Sequence, residues 1–319
     1  LSRDFTINSV AQSVTGQFFD PARGLDDIKA KMLKTPGGDP EATFKNDPIR
    51  ILRGIRFVAS YPLKIDPKIP SAAKKTAEGL SKKKPRRIGF EVKKILQTEK
   101  PWVAAKLIGE WGIAEYISEG LGNVVNLRQK GPQHRYHAWA QMIAALKRAK
   151  SRELSVNASI MFSFIGKYEA SKGGKTNDFT GWEDKSAKMA HKELLNLGFS
   201  KEYANKIHLI IYNLKILALD NPSKDEYRKV ALSAREDLQN YLTVADALIG
   251  TSNIDNDKFV QLKKNIERYS KNDQEIDGQE LNTTSGVEKF DDSDKLLKSD
   301  IDLLKEAGTS QIRSERRLS

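Results

Sequence analysis

The 319-residue chain contains no cysteine, which excludes disulfides and thiolate metal sites. It has no run of about 18 apolar residues, so no membrane-spanning helix is expected. No signal-peptide pattern opens it, and the expected compartment is the cytoplasm. Histidine is scarce, with four residues in all. His134 and His137 lie three apart, and two histidines alone fall short of a metal site. Gly173-Gly174-Lys175-Thr176 looks like the end of a phosphate-binding loop. That pattern needs a glycine where Glu169 stands, so the match fails. No internal repeat appears.

Acidic residues are the minority. Lys and Arg number 54 against 42 Asp and Glu, giving a net charge of +12 and a pI near 9.5. This balance suits a polyanionic partner, with nucleic acid first; a merely basic protein is the plain alternative. The length allows two or more small domains.

The most informative stretch is Asn46 to Phe57, NDPIRILRGIRF. Asp47 precedes Pro48, a residue favoured at the first helical position. At about 100° per residue, Ile51, Leu52, Ile55, Val58 and Ala59 gather on one side. Asp47, Arg50, Arg53 and Arg56 fan across the other, while Ile49 and Phe57 break the pattern. Asp47 and Arg50 side by side can read a nucleobase. Cytosine and adenine present an amino donor beside a ring-nitrogen acceptor, which a carboxylate and a guanidinium match. Uracil and guanine present the reverse and would leave both groups unpaired. The other arginines suit a triphosphate. Spacing alone leaves a second reading open, in which Asp47 is an N-cap and the arginines are a solvated face.

SRDFTINSV at the start, DPARGLDDIKAKMLKT from Asp20 and DPEATFKNDPIRILRGIRF from Asp39 together resemble the class II tRNA nucleotidyltransferase (CCA-adding enzyme) and bacterial poly(A) polymerase family. That family carries an RRDFTINA-like motif, a DP-x-GG-x-DL-like loop and an ED-x-x-R-x-x-R motif in the same order. The resemblance implies that Asp47 and Arg50 form a protein template pairing with CTP or ATP. It makes Arg53 and Arg56 further nucleotide contacts, and Arg3 and Asp4 the counterparts of the second arginine and the aspartate of the first motif. The departures are Ser2, Asn46 for an acidic residue, and Ala22-Arg23 before Gly24.

KKPRRIGFEVKKIL resembles the family's fifth motif, which braces the neck helices; Arg87, Ile88 and Glu91 fit, and Arg86 replaces a glutamate. The basic run Lys82, Lys83, Lys84, Arg86 and Arg87 is the candidate RNA-binding patch, with a solvated turn as the alternative. Gln133–Leu146 and Ile160–Gly174 resemble an HD phosphohydrolase-like region. Ser163-Phe164 stands where its His-Asp pair is expected, and Trp182-Glu183 where a later histidine is expected. No metal site and no hydrolase activity are expected there. His191 and His208 read as ordinary surface or boundary residues.

Local patterning predicts a hairpin from Ile7–Val14 and Gln17–Phe19 around Thr15-Gly16. It also predicts a helix over Gly24–Leu33, a linker over Lys34–Pro40, and helices almost throughout from Glu41. Glu226–Ile249 reads as one long helical region and Phe259–Tyr269 as an amphipathic basic helix. Asp277 to Leu281 resembles the start of the family's tail. The expected fold class is mainly α, with a short β-hairpin remnant of the nucleotidyltransferase head followed by helical neck, body and tail. The divisions are 1–40 (end of the head), 41–125 (neck, nucleotide recognition and RNA binding), 126–220 (degenerate HD-like region) and 221–319 (body and tail).

The family's GG-x-x-R-D loop does not occur in the sequence, and no D-x-D pair precedes SRDFTINSV, where the family's catalytic head lies, because the first residues already lie within a family motif. The chain is therefore expected to be a fragment lacking the catalytic head, which would bind the Mg²⁺ ions; no catalytic or metal residues are assigned within it. The expected function is part of an enzyme adding CMP and AMP to tRNA 3′ ends, with tRNA, ATP and CTP as partners and no membrane. The alternatives are a poly(A) polymerase of the same family and a non-catalytic RNA-binding chain.

Overall fold

The computed structural model describes residues 3–130 and 136–280, with 272–280 by backbone alone. No described helix is long and apolar enough to cross a membrane. The described residues are mainly helical, with four short strands.

The chain opens with a 3₁₀ turn, Thr6–Asn8, then a hairpin of β1 (Ala11–Gln12) and β2 (Phe18–Phe19). The pairing is antiparallel, Ala11 opposite Phe19 and Gln12 opposite Phe18. The hairpin is thus where the sequence places it but shorter, because Ile7 belongs to the 3₁₀ turn. Asp20 then caps α1 (Gly24–Lys29), its two carboxylate oxygens accepting from Gly24 N at 2.6 Å and Leu25 N at 2.9 Å. The predicted helix over Gly24–Leu33 ends early. Lys31 takes a left-handed φ of 51°, and no glycine marks the stop in the sequence. Met32–Leu33 instead forms β3, paired in parallel with β4 (Lys64–Ile65).

Between these strands lie α2 (Pro40–Asn46) and α3 (Ile49–Ser60). Asp39 caps α2 by accepting from Ala42 N at 3.0 Å, with Pro40 in the first turn. Pro36-Gly37-Gly38 precedes it as an exposed turn in which both glycines have positive φ. After β4 come α4 (Lys68–Thr76), α5 (Pro85–Leu96), α6 (Pro101–Glu110), α7 (Ala114–Ile117) and α8 (Glu119–Val125). Helices α3, α5 and α6 pack together. Ile51, Leu52, Ile55 and Ala59 of α3 are buried, as the wheel predicts, and Ile49 is buried too.

The second half adds α9 (Ala138–Ala149), α10 (Leu154–Phe162), α11 (Lys167–Ala170), α12 (Trp182–Asn196) and α13 (Lys201–Asn213). Next come α14 (Lys224–Ser233), α15 (Leu238–Ile249) and α16 (Asn256–Glu280). The single region predicted over Glu226–Ile249 is therefore two helices, separated by a 3₁₀ turn at Arg235–Asp237. A capping box between Ser223 and Glu226 starts the first of them. Helix α9 lies between α6 and α15, and α12 packs on α13. One buried apolar cluster runs from Phe5 to Ile266.

Helix α5 is held close to the end of α12. Gly89 has no room for a side chain, since a Cβ there would lie 1.8 Å from Leu197 O. Lys93 Nζ donates to Gly198 O at 2.6 Å and lies 4.6 Å from the Phe199 ring centre. At the other end of α5, Asn157 Nδ2 donates to Leu96 O at 2.7 Å. These interactions fix the helix that carries Arg86, Arg87, Phe90 and Glu91.

Candidate nucleotide site

Asp47 is the hinge between α2 and α3. Its backbone is extended, and its carbonyl accepts the Arg50 N–H at 3.0 Å. Pro48 already has helical dihedrals, so Asp47 stands where a helix cap belongs, and Oδ1 accepts from Ile49 N at 3.4 Å. Two cations also hold the same carboxylate. Lys83 Nζ lies 3.4 Å from Oδ1, and Arg87 Nη2 donates to Oδ2 at 3.1 Å. Burial would raise the Asp47 carboxyl, but the Arg87 charge, the Ile49 N–H and Lys83 outweigh it and hold the group below the usual aspartate range. Cap and charge partner are therefore both present.

The remaining arginines of α3 are deployed unequally. Arg53 Nε donates to Asp4 Oδ2 at 2.7 Å and its Nη1 lies 3.8 Å from Glu91 Oε1. Arg56 Nε donates to Glu91 Oε2 at 2.9 Å, and its guanidinium sits 4.8 Å from the Phe57 ring centre. Glu91 is 3% exposed. Asp4–Arg53–Glu91–Arg56 is thus a ladder tying the start of the chain to α3 and α5. Burial pushes the Asp4 carboxyl up. Hydrogen bonds from Arg53 and Asn8, the Arg53 charge and the Phe5 N–H pull it further down, below its ordinary value.

Arg3, Asp4, Asp47, Ile49, Arg50, Arg53, Arg86, Arg87, Phe90 and Glu91 line a cavity of about 520 Å³, within the usual range for small-molecule sites. Five of the six predicted nucleotide residues are brought together there. Arg56 is not among the lining residues; Glu91 and Phe57 take its guanidinium. Of the predicted RNA patch, Arg86 and Arg87 face the cavity, Lys83 braces Asp47, and Lys82 and Lys84 are exposed on the turn before α5. Sequence reasoning missed Phe90 and the cavity-facing role of Glu91. Spacing on α5, with both one turn beyond Arg86 and Arg87, was the available signal.

The segment that the sequence analysis compares with an HD region is built differently. Ser163 is fully buried and its Oγ donates to Ile160 O at 2.9 Å, while Phe164 packs against Trp182 with ring centres 5.5 Å apart. Buried Lys167 points its ammonium at Phe164 (4.3 Å), Trp182 (4.6 Å) and Phe179 (5.5 Å), and donates to Gln129 Oε1. Among the described residues, no group of three His, Cys, Asp or Glu side chains is placed to hold a metal ion. His137 is exposed at the start of α9; His134 lies outside the described residues, as do Leu281 and the segment beyond it. His191 Nε2 is 2.9 Å from Asn205 Oδ1, and the His191 and His208 rings meet edge to face.

No family model matches the chain. A CCA-adding enzyme of Leuconostoc citreum (strain KM20) is 29% identical over 150 residues, 45% of this chain and 37% of the relative. A CCA-adding enzyme of Streptococcus uberis is 41% identical over 93 residues, 29% and 23% of the two chains. These matches span less than two fifths of the relatives' lengths. A solved tRNA-processing enzyme with CTP shares the fold over 99% of this chain and 74% of its own, at TM-score 0.57 and 18% identity. Over part of its length the sequence is similar to CCA-adding enzymes, and over nearly all of it the fold is that of a solved tRNA-processing enzyme.

Proposed function

We propose that the chain supplies nucleotide selection and tRNA grip within an enzyme that adds CMP and AMP to tRNA 3′ ends. The observation that carries this reading is the ionised Asp47 carboxylate, braced by Lys83 and Arg87 and facing an arginine-lined cavity one turn from Arg50. An ionised carboxylate has about four acceptor positions, so it can take an amino hydrogen of cytosine or adenine beside its present partners. Arg50 would donate to the ring nitrogen of the same base. Arg3, Arg86 and Arg87 would meet the phosphates. Arg53 and Arg56 act chiefly through the ladder, which holds α3 against α5.

Phosphoryl transfer of this kind employs divalent metal to activate the 3′ hydroxyl and stabilise the leaving group. Asp4, Asp47 and Glu91 are each paired with arginine or lysine, so the cavity carboxylates do not fit a magnesium site. We place the Mg²⁺ outside this cavity, and keep the divisions at 40, 125 and 220 as the working map of the chain.

Equilibrium binding of CTP, ATP, UTP and GTP tests the reading. Asp47→Ser retains a capping oxygen but not a charged acceptor. Preference for CTP over UTP should fall on the order of ten- to a hundredfold, the worth of one hydrogen bond to a charged group, ~1.5–3 kcal/mol. Undiminished preference in Asp47→Ser would leave Asp47 a cap only and remove the template.

Transfer-RNA binding should weaken linearly in log affinity against log salt as counterions are released. Replacing Lys82 and Lys84 together by alanine should reduce that slope by about one for each phosphate no longer neutralised. An unchanged slope would take these lysines out of the RNA surface.

A further inference from the structure

Base reading by Asp47 and Arg50 leaves one part of the cavity unused. Phe90 lines it yet is 56% exposed, while Ile49, the other apolar lining residue, is 5% exposed. Lone exposed phenylalanines on a surface need no explanation. This one lies among five guanidinium groups, Arg3, Arg50, Arg53, Arg86 and Arg87, against three carboxylates, Asp4, Asp47 and Glu91. Lys94 sits one turn further along α5, its Nζ 4.0 Å from the Phe90 ring centre. That approach engages one face of the ring and favours a fixed orientation. The excess of guanidinium selects a polyanion, and the exposed ring selects a flat apolar surface. A nucleotide carries both.

We infer that Phe90 is a stacking platform for a nucleobase. The inference rests on the proposed nucleotide site and adds to it: Asp47 and Arg50 take the edge of a base, and Phe90 takes a face. Every base has such a face, so stacking adds affinity without choosing among bases. The base can come from a nucleoside triphosphate or from the unpaired 3′ end of an RNA, which offer the same chemistry.

The test uses the whole chain with Phe90→Leu and Phe90→Trp. Its probes are CTP, UTP, inorganic tripolyphosphate, an RNA with an unpaired 3′ end and the matching blunt duplex. Phe90→Leu should weaken CTP roughly five- to a hundredfold, the range measured for stacked bases. It should leave tripolyphosphate unchanged, and Phe90→Trp should restore CTP with quenching of the new indole fluorescence. A loss confined to the RNA with an unpaired end would also support the platform and assign the base to the RNA. Unchanged binding of both CTP and the unpaired RNA would overturn it. In that case, a CTP-over-UTP preference that persists in Phe90→Leu would keep the nucleotide site standing. If wild type binds neither CTP nor the unpaired RNA, platform and nucleotide site fall together.

Discussion

Between pH 7 and 9 the wild-type chain should gain stability relative to Lys167→Met, with a slope that rises toward about 1.4 kcal/mol per pH unit. Burial pushes the Lys167 ammonium down to about 7, with Glu183 opposing, whereas in the unfolded chain it titrates near 10.4. The folded state therefore binds fewer protons than the unfolded state between these values, so stability rises with pH across that window. Below pH 7 both states carry the charge and the penalty is constant. Methionine keeps the length of the side chain and its packing against Phe164, Trp182 and Phe179 but cannot titrate. Glu183 is itself buried and its carboxyl is pushed up by that burial, partly offset by a backbone hydrogen bond and by Lys167 and Lys215. The comparison is therefore repeated in a Glu183→Gln background, where the lysine alone can supply the slope. Denaturant melts at pH 6, 7, 8 and 9 give the answer; parallel curves for the two chains would show that Lys167 does not lose its proton on folding.

Gly89→Ala should lower the thermal midpoint by several degrees. Alanine favours a helix over glycine by about 1 kcal/mol, so an open position would be stabilised. Here the new methyl would lie 1.8 Å from Leu197 O and 2.7 Å from Leu197 C. Those are backbone atoms, which no side-chain rotation can move away. Overpacking costs ~1–3 kcal/mol and occasionally more, and a backbone collision belongs at the upper end. The net loss is about 2 kcal/mol, or roughly 3 °C for a chain of this size. Because α5 carries Arg87, the same variant should loosen Asp47 and blunt CTP binding. A raised midpoint with intact binding would mean that α5 does not approach α12 so closely.

What the sequence disclosed follows from the range over which its signals act. The two faces of α3 and the hairpin turn at Thr15-Gly16 are short-range patterns and were legible. The ladder was not: Asp4 and Arg53 are 49 residues apart, and Arg56 and Glu91 are 35 apart. On a helical wheel a guanidinium bound for a buried glutamate looks the same as one bound for phosphate, which is why Arg56 reads as a nucleotide ligand. The basic run before α5 was visible as charge, but only packing shows that it faces two ways, toward Asp47 and toward solvent. Strands of two residues, such as β3 and β4, are too short to display alternation. That no His-Asp pair stands at Ser163-Phe164 was plain from the sequence, whereas the aromatic surroundings of Lys167 needed the fold to assemble Phe179 and Trp182 around it.

The seam between β3 and β4 also bears on timing. Parallel strands cannot be joined by a tight turn, and the intervening segment 34–63 contains α2 and α3 whole. The seam can close only after that segment has folded back on itself, with the loop-closure entropy already spent. Its hydrogen bonds, Lys64 N to Lys31 O at 2.7 Å and Asp66 N to Leu33 O at 3.1 Å, are therefore expected to form late in folding. Thr6 N donates to Lys34 O at 3.0 Å, beside the end of β3, so the first 3₁₀ turn is tied to this seam as well.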